Sequence, residues 1–329
     1  MNIWLLTDGK MGDLVQCRGI AAHLIAQAGG TVEERTVAPR ALWAMLMPFT
    51  PIDPREDFNQ PGSPIAPNAD GEWPDLLIAS GRRAVPYLKR VKKLSQGATT
   101  TVFLKDPRTG AGTADIIWVP THDKLRGPNV ITSETSPHHI TPEALEQARQ
   151  SGVARFGTHS HTVGVLLGGN TVDVNYNAQT ITKLAKGLND VLNSEGDTDS
   201  ASRYLITSSR RTPYMLNKTV SSVLSNRECW TWDEEEENPY MQILALSDVL
   251  LVTGDSHNMV SEALSTGRPV YVFRPDGLKQ KFHNFLEGLE DKGAIRRFDN
   301  SLEPFAGTRY DASRNIANTI LDFIAKRAH

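Results

Sequence analysis

Residues 253–273 read TGDSHNMVSEALSTGRPVYVF, directly after the apolar run Val249–Thr253. The run predicts a buried strand, Gly254-Asp255-Ser256 a turn, and the following residues a helix that ends before Gly267-Arg268-Pro269 and a second strand. Such a turn places backbone N–H groups and a small hydroxyl at a helix N-terminus, where the helix dipole and unpaired donors favour a phosphate. Glu262 falls about one turn further on, where a carboxylate can accept hydrogen bonds from sugar hydroxyls. Phosphate donors followed by a ribose-reading acid make a nucleotide site, here for a nucleoside diphosphate. The alternative is an ordinary strand–helix–strand unit in which Glu262 is a solvated helix residue.

The segment resembles the nucleotide-sugar site of GT-B glycosyltransferases, in which a Gly/Ser-rich turn holds the diphosphate and a Glu of the next helix binds ribose. Ser256, Ser261-Glu262, Gly267 and Pro269 carry that resemblance. It implies an α/β protein of two facing Rossmann-like domains with an interdomain cleft.

Outward from this stretch the same rhythm recurs. Val163–Leu167 is a strand ended by Gly168-Gly169-Asn170, with a helix from about Tyr176 to Leu192 and a polar loop at residues 193–202. Tyr204–Thr207 is a strand ended by Ser208-Ser209-Arg210-Arg211, and Ala294–Phe298 a late strand. In the first half, strands at Ile3–Thr7, Val32–Val37, Leu76–Ala79, Thr100–Leu104, Ile116–Val119 and Val130–Thr132 alternate with helical patterns, the β–helix–β order of a mostly parallel sheet. Thr141-Pro142 opens a polar helix at the break between the halves. The expected domains are residues 1–150 on the acceptor side and 160–309 on the nucleotide side. A helix at 310–329 is expected to pack back on the first domain.

In open α/β sheets ligands bind beyond the carboxyl ends of the strands. The candidate nucleotide and phosphate ligands are therefore Gly168, Gly169, Asn170, Ser209, Arg210, Thr253, Gly254, Asp255, Ser256 and Glu262. Glycines permit close backbone approach, and Arg210 can hold two oxygens at once. In the first half, Asp8-Gly9-Lys10-Met11-Gly12-Asp13 is neither a P-loop nor a GxGxxG fingerprint. Asp13, then Asp8, is the candidate general base on an acceptor hydroxyl, although either could instead cap a helix. Lys10, Arg82 and Lys105 are candidate cleft cations for an anionic ligand.

The nine histidines lack HExxH spacing or paired cysteines, so no metal is assigned and no cofactor is expected beyond the nucleotide sugar itself. The run Asp233–Glu237 reads as a solvated loop. Residues 41–49, ALWAMLMPF, flanked by Arg40 and Arg55, have two readings. One is a core helix ended by Pro48; the other is a patch for peripheral contact with a membrane or a lipid acceptor.

Composition sets the outer bounds. The chain has 329 residues, 39% hydrophobic and 22% charged, enough for two domains of ordinary soluble character. A net charge of −3 offers no basic footprint for nucleic acid. Two distant cysteines argue against a disulfide framework. The first residues, MNIWLLTDGK, lack a basic n-region. The expected location is cytoplasmic, with peripheral contact to the inner membrane as the open variant.

In sequence order, TDGKMGD, SGRR, KDPR, VPTHD, LLGGN, SSRRTP and GDSHNMVSEA resemble the elongated-mitochondria-type fission family of plants and its bacterial relatives. The resemblance runs from Leu6 to about Arg274. It implies a GT-B-like fold and, for plant members, a role at mitochondrial outer membranes. The expected function is a metal-independent glycosyltransferase using a nucleoside diphosphate sugar and an unknown acceptor. A nucleotide-binding scaffold at a membrane and a nucleotide-sugar epimerase are the alternatives.

Overall fold

The computed structural model describes residues 1–68, 70–195 and 202–327. The chain divides into two compact units. The first comprises Met1–His139 and Asp311–His329, and the second Ile140–Tyr310. The boundary thus falls ahead of the helix at Pro142–Phe156, not near residue 150.

The first unit contains β1 (Asn2–Thr7), α1 (Met11–Ala28), β2 (Thr31–Thr36), α2 (Ala41–Leu46), β3 (Leu76–Ser80), α3 (Val85–Leu94), β4 (Thr100–Leu104), β5 (Ile116–Pro120) and β6 (Val130–Ser133). Its six strands pair in parallel in the order β2-β1-β3-β4-β5-β6. Successive side chains point to opposite faces of a strand, so each strand feeds two cores. Trp4, Leu6, Leu77, Ala79, Phe103 and Ile117 pack towards α3, with Val85, Leu88 and Val91. Ile3, Leu5, Leu76, Ile78 and Val102 pack with Cys17, Ile20 and Leu24 of α1 and with Ile316 and Ile320 of the last helix, Ala312–Arg327. That helix is tied to the first unit at Ser313, whose hydroxyl accepts from His138 N–H (2.7 Å) and donates to His138 O (2.6 Å). Strand β2 is exposed and carries Glu33, Glu34 and Arg35, charges that blunt a sheet edge.

The second unit contains α4 (Pro142–Phe156), β7 (Thr162–Leu167), α5 (Ala178–Glu195), β8 (Arg203–Ser208), α6 (Tyr214–Leu224), β9 (Cys229–Thr231), α7 (Tyr240–Leu246), β10 (Val249–Thr253), α8 (His257–Ser265), β11 (Val270–Phe273), α9 (Gln280–Asp291) and β12 (Arg296–Arg297); the terminal helix Ala312–Arg327 is α10. The strands again pair in parallel, in the order β12-β11-β10-β7-β8-β9. Strands β7, β8 and β10 are buried throughout, as expected for central strands of a parallel sheet covered on both faces. The predicted polar loop at 193–202 is helical up to Glu195 and otherwise falls mostly on residues 196–201, outside the described residues.

Strand order places the functional edge. The second unit, counted from β7, has the 3-2-1-4-5-6 order of dinucleotide-binding folds, and the order reverses between β7 and β10. The first unit has the order 2-1-3-4-5-6, which reverses between β1 and β3. Ligands of open α/β sheets bind outside the strand ends at these switch points. The loops that flank them are Gly168–Asn170 with Gly254–Ser256, and Asp8–Lys10 with Gly81–Arg83.

Candidate functional site

At the switch point of the second unit, Asp255 is the organising group. The residue is only 3% exposed, and its side chain is fully buried. Oδ2 accepts from Gly169 N–H (3.0 Å) and lies 3.9 Å from an Arg211 guanidinium nitrogen, while Oδ1 accepts from the Tyr176 hydroxyl (2.7 Å). Thr253 Oγ1 accepts from Gly168 N–H (2.6 Å), and Thr212 Oγ1 lies within hydrogen-bond distance of Leu167 O (3.0 Å) and Gly168 O (2.5 Å). The loops after β7, β8 and β10 are thereby fastened into one piece.

This reassigns several residues expected to touch phosphate. A Cβ on Gly168 would sit 2.3 Å from the Asp255 carboxylate oxygens, and one on Gly169 2.1 Å from the Arg211 carbonyl. These glycines admit the protein's own chain rather than a ligand. Gly254 is likewise enclosed, its Cβ position 3.0 Å from Leu286 and Val272. Asp255 and Thr253 are spent as internal acceptors. The Ser209 hydroxyl is engaged within its own turn, with Thr212 Oγ1 (3.1 Å) and Arg211 N–H (3.3 Å).

Other groups remain open around that fastening. Asn170 is exposed; its Oδ1 accepts from Tyr176 N–H (2.9 Å), and its amide nitrogen has no partner among the described residues. Arg210 is exposed and makes no ion pair among the described residues, whereas Arg211 turns to Asp255. Ser256 caps α8, accepting from Met259 N–H (3.4 Å). The positive end of the α8 dipole therefore lies at this edge.

Glu262 lies on α8 and is 8% exposed. The Tyr240 hydroxyl donates to its Oε2 (2.6 Å), and Oε1 has no partner among the described residues. Burial pushes the Glu262 carboxyl up from 4.5 to about 7, with the Tyr240 hydrogen bond pulling the other way. Glu262 is therefore not the solvated helix residue of the alternative reading. The sign of its effect on stability follows from proton uptake. Between about pH 4.5 and 7 the native carboxyl holds a proton that the unfolded chain has released, so its favourable contribution is complete below 4.5 and is lost as pH rises through 7. Glu262→Gln, which retains an acceptor for Tyr240, should match the wild type near pH 4. In urea melts above pH 8 it should be more stable by about 2 to 3 kcal/mol. Identical differences at both pH values would refute a buried, ionisable Glu262.

The first unit gathers two acids at its own switch point. Asp13, in the first turn of α1 and 8% exposed, accepts at Oδ1 from the Ser80 hydroxyl (3.0 Å) and Lys105 Nζ (2.5 Å). The side chain of Asp8 is fully buried; Oδ2 pairs with Lys10 (2.8 Å) and lies 3.9 Å from Arg83 Nε, and Oδ1 has no hydrogen-bond partner among the described residues. Gly81 separates the acids. A Cβ there would lie 3.3 Å from Asp13 Oδ2 and 3.4 Å from Asp8 Oδ1, and its φ of +91° suits glycine. Lys10 and Lys105, expected as cleft cations for an anionic ligand, are paired here with Asp8 and Asp13, and Arg82 lies apart from them. Its guanidinium donates to the carbonyls of Met45 (3.2 Å) and Met47 (2.8 Å), and Arg83 is the arginine beside Asp8.

Tyr176, Arg211, Thr212, Tyr240 and Arg83 escaped the sequence reading. Tyr176 and Asp255 are 79 residues apart, and Tyr240 and Glu262 22 apart. Arg211, Thr212 and Arg83 carried a signal, as neighbours of Ser209, Arg210 and Arg82. Among the described residues, no group of three or more His, Cys, Asp or Glu side chains is arranged to hold a metal ion.

The sequence matches the family described as Mitochondrial fission ELM1 over residues 11–324. The chain belongs to that family. The mitochondrial fission protein ELM1 of Arabidopsis thaliana is 29% identical over 248 residues, 69% of this chain and 58% of the plant protein, so the match spans little more than half of that relative. Protein RP120 of Rickettsia prowazekii (strain Madrid E) is 24% identical over 361 residues, 97% of this chain and 98% of that protein. This ELM1-family member is also similar in structure to the UDP-GlcNAc 2-epimerase of Neisseria meningitidis, solved bound to UDP-GlcNAc. The TM-score is 0.53 at 13% identity, covering 99% of this chain and 100% of the other. That likeness is one of fold, and it agrees with a GT-B-like chain of two Rossmann-like units.

Proposed function

We propose that this ELM1-family member binds a nucleoside diphosphate sugar in its second unit and transfers the sugar to an acceptor. The observation that carries this reading is the convergence at one switch point of the α8 N-terminus, the open amide of Asn170 and the unpaired Arg210, with buried Glu262 on the same helix. The positive end of the α8 dipole and Arg210 would hold the diphosphate. Arg210 would offset charge as the leaving group departs. Glu262 Oε1 would accept from ribose hydroxyls. Asp255, Tyr176, Thr253 and Thr212 would hold the loops in place without touching the ligand. The UDP-sugar bound by the structurally similar epimerase supports the ligand class.

Asp13, with Asp8 as second choice, would take the acceptor proton. One observation favours a different outcome, binding without turnover: Asp13 and Asp8 both already hold lysine partners.

A ligand that binds only the native state raises its melting temperature with the ratio of concentration to Kd. A thermal-shift screen against nucleotides and nucleotide sugars should show stabilisation by one diphosphate nucleotide, weakened at least tenfold in apparent affinity by Glu262→Ala. The proposal fails if no nucleotide at about millimolar concentration shifts the wild type. Product formed from the donor separates a transferase or an epimerase from a nucleotide-binding scaffold.

A further inference from the structure

The first unit carries an apolar projection that neither nucleotide binding nor the acid cluster uses. Helix α2 and the turn after it bury Ala44 and Met47 but expose Leu42 by 57%, Met45 by 65%, Leu46 by 53% and Phe49 by 76%. Leu42, Met45 and Leu46 follow the i, i+3, i+4 spacing of one helical stripe, and Phe49 lies in the turn beyond the end of α2. The core-helix reading of residues 41–49 therefore holds for its inner face alone.

The projection is firmly held. Arg82 donates to the carbonyls of Met45 and Met47, the Trp43 indole N–H donates to Ile52 O (3.0 Å), and Arg40 forms a two-pronged pair with Asp53 (2.8 Å each). Beside it lies a groove of about 700 Å³, lined in part by Phe49, Pro51, Ile52, Lys89 and Lys93.

Cations outnumber free carboxylates around the groove. Asp53 pairs with Arg40 and Asp57 with Arg90 (2.9 Å), while Glu56 accepts from the neutral Tyr87 hydroxyl and keeps its charge. Arg55, Lys89 and Lys93 are exposed and have no acidic partner among the described residues. Lys89 and Lys93 stand one turn apart on α3 and line the groove beside Phe49.

We propose that this face seats the first unit on the surface of an anionic lipid bilayer. Leu42, Met45, Leu46 and Phe49 enter the boundary between headgroups and acyl chains, while Arg55, Lys89 and Lys93 meet lipid phosphates. Shallow apolar insertion combined with a cationic rim is the chemistry of peripheral membrane binding. The four side chains supply a few hundred Å² of apolar surface, the size of a functional patch on a monomer. A stable protein interface needs about 800 Å² per partner, which argues against a second copy of this chain as the occupant. No helix among the described residues is long and apolar enough to cross a membrane, so the contact is of the surface kind. The inference does not depend on the nucleotide reading.

The test is co-sedimentation of the full chain with vesicles of phosphatidylcholine alone or with about 30% phosphatidylglycerol. Binding to the anionic vesicles should exceed binding to the neutral ones, and should fall about tenfold or more in Met45→Ser/Phe49→Ser and in Lys89→Glu/Lys93→Glu. Met45→Leu/Phe49→Leu should retain it. Melting temperatures near that of the wild type will show that the variants fold. Absence of binding to anionic vesicles overturns the proposal, as does equal binding by wild type and both loss variants. Self-association of the wild type that disappears in Met45→Ser/Phe49→Ser would assign the face to a second copy instead, and also overturns it.

Discussion

Asp255→Ala should be among the most damaging side-chain truncations in the second unit, costing about 3 to 5 kcal/mol because it strips a buried acceptor from two buried donors and a guanidinium. For a unit of this size each kcal/mol corresponds to about 2 to 4 °C, so the melting temperature should fall by roughly 10 °C. The carboxylate serves a backbone N–H of the loop after β7, a phenol ahead of α5 and a guanidinium of the loop after β8. Alanine leaves the Tyr176 hydroxyl and Gly169 N–H buried without an acceptor and Arg211 without its counter-ion. Asp255→Asn keeps the shape but places an amide NH₂ against one of those donors, and should lie between alanine and wild type. Burial drives the Tyr176 hydroxyl well above the ordinary tyrosine range, with the Asp255 charge adding to it, so the phenol remains a donor at any ordinary pH. Tyr176→Phe alone should cost about 1.5 to 3 kcal/mol, the range for a hydrogen bond to a charged group. A double-mutant cycle should show strong coupling between the two positions. Nucleotide stabilisation should disappear in Asp255→Ala although the carboxylate touches no ligand in the proposed scheme, because Asn170, Arg210 and the start of α8 are positioned by the loops it joins. Unaltered stability in Asp255→Ala would break this account.

The sequence exposes the architecture through its periodicity and punctuation. Apolar runs of four or five residues ended by Gly, Ser or Asp locate β1, β3, β7, β8 and β10 and the loops at their carboxyl ends, and the loops after β1, β3, β7 and β10 flank the two switch points. What the local pattern does not encode is the direction of polar side chains. Arg82 and Arg83 are adjacent and alike, yet one binds carbonyls at the end of α2 and the other approaches Asp8. The difference depends on α2 being seated 35 residues earlier in the chain. Gly168-Gly169 has the same logic. Paired glycines announce a close approach, but only the fold shows that Asp255 and Arg211 occupy the vacated space. In residues 41–49, apolar content alone could not divide an inward set at Ala44 and Met47 from an outward set at Leu42, Met45, Leu46 and Phe49. That division requires the position of the sheet.

Asp13→Asn is expected to reduce sugar transfer by about 100- to 10,000-fold, the range for loss of a general base, while leaving donor binding near the wild-type level. The structure allows a competing role, since Asp13 also anchors Lys105 and Ser80. The two roles separate in a cycle with Lys105→Met. If Asp13 serves only to neutralise Lys105, removing both charges should restore stability and activity together. If Asp13 is the base, the double variant regains stability but not turnover, and Lys105→Met alone remains active. The structural part of the effect should be small, because Lys105 is 42% exposed and partly solvated ion pairs contribute about 1 kcal/mol or less. Donor binding supplies the second discriminant. The network around Asp255 belongs to the other compact unit, so nucleotide stabilisation should survive in Asp13→Asn even where product formation fails. Activity recovered in Asp13→Asn/Lys105→Met would move the base assignment to Asp8, whose buried Oδ1 is the remaining open acceptor beside Gly81. Full activity in both Asp13→Asn and Asp8→Asn would remove the acid cluster from the chemistry and favour nucleotide binding without transfer.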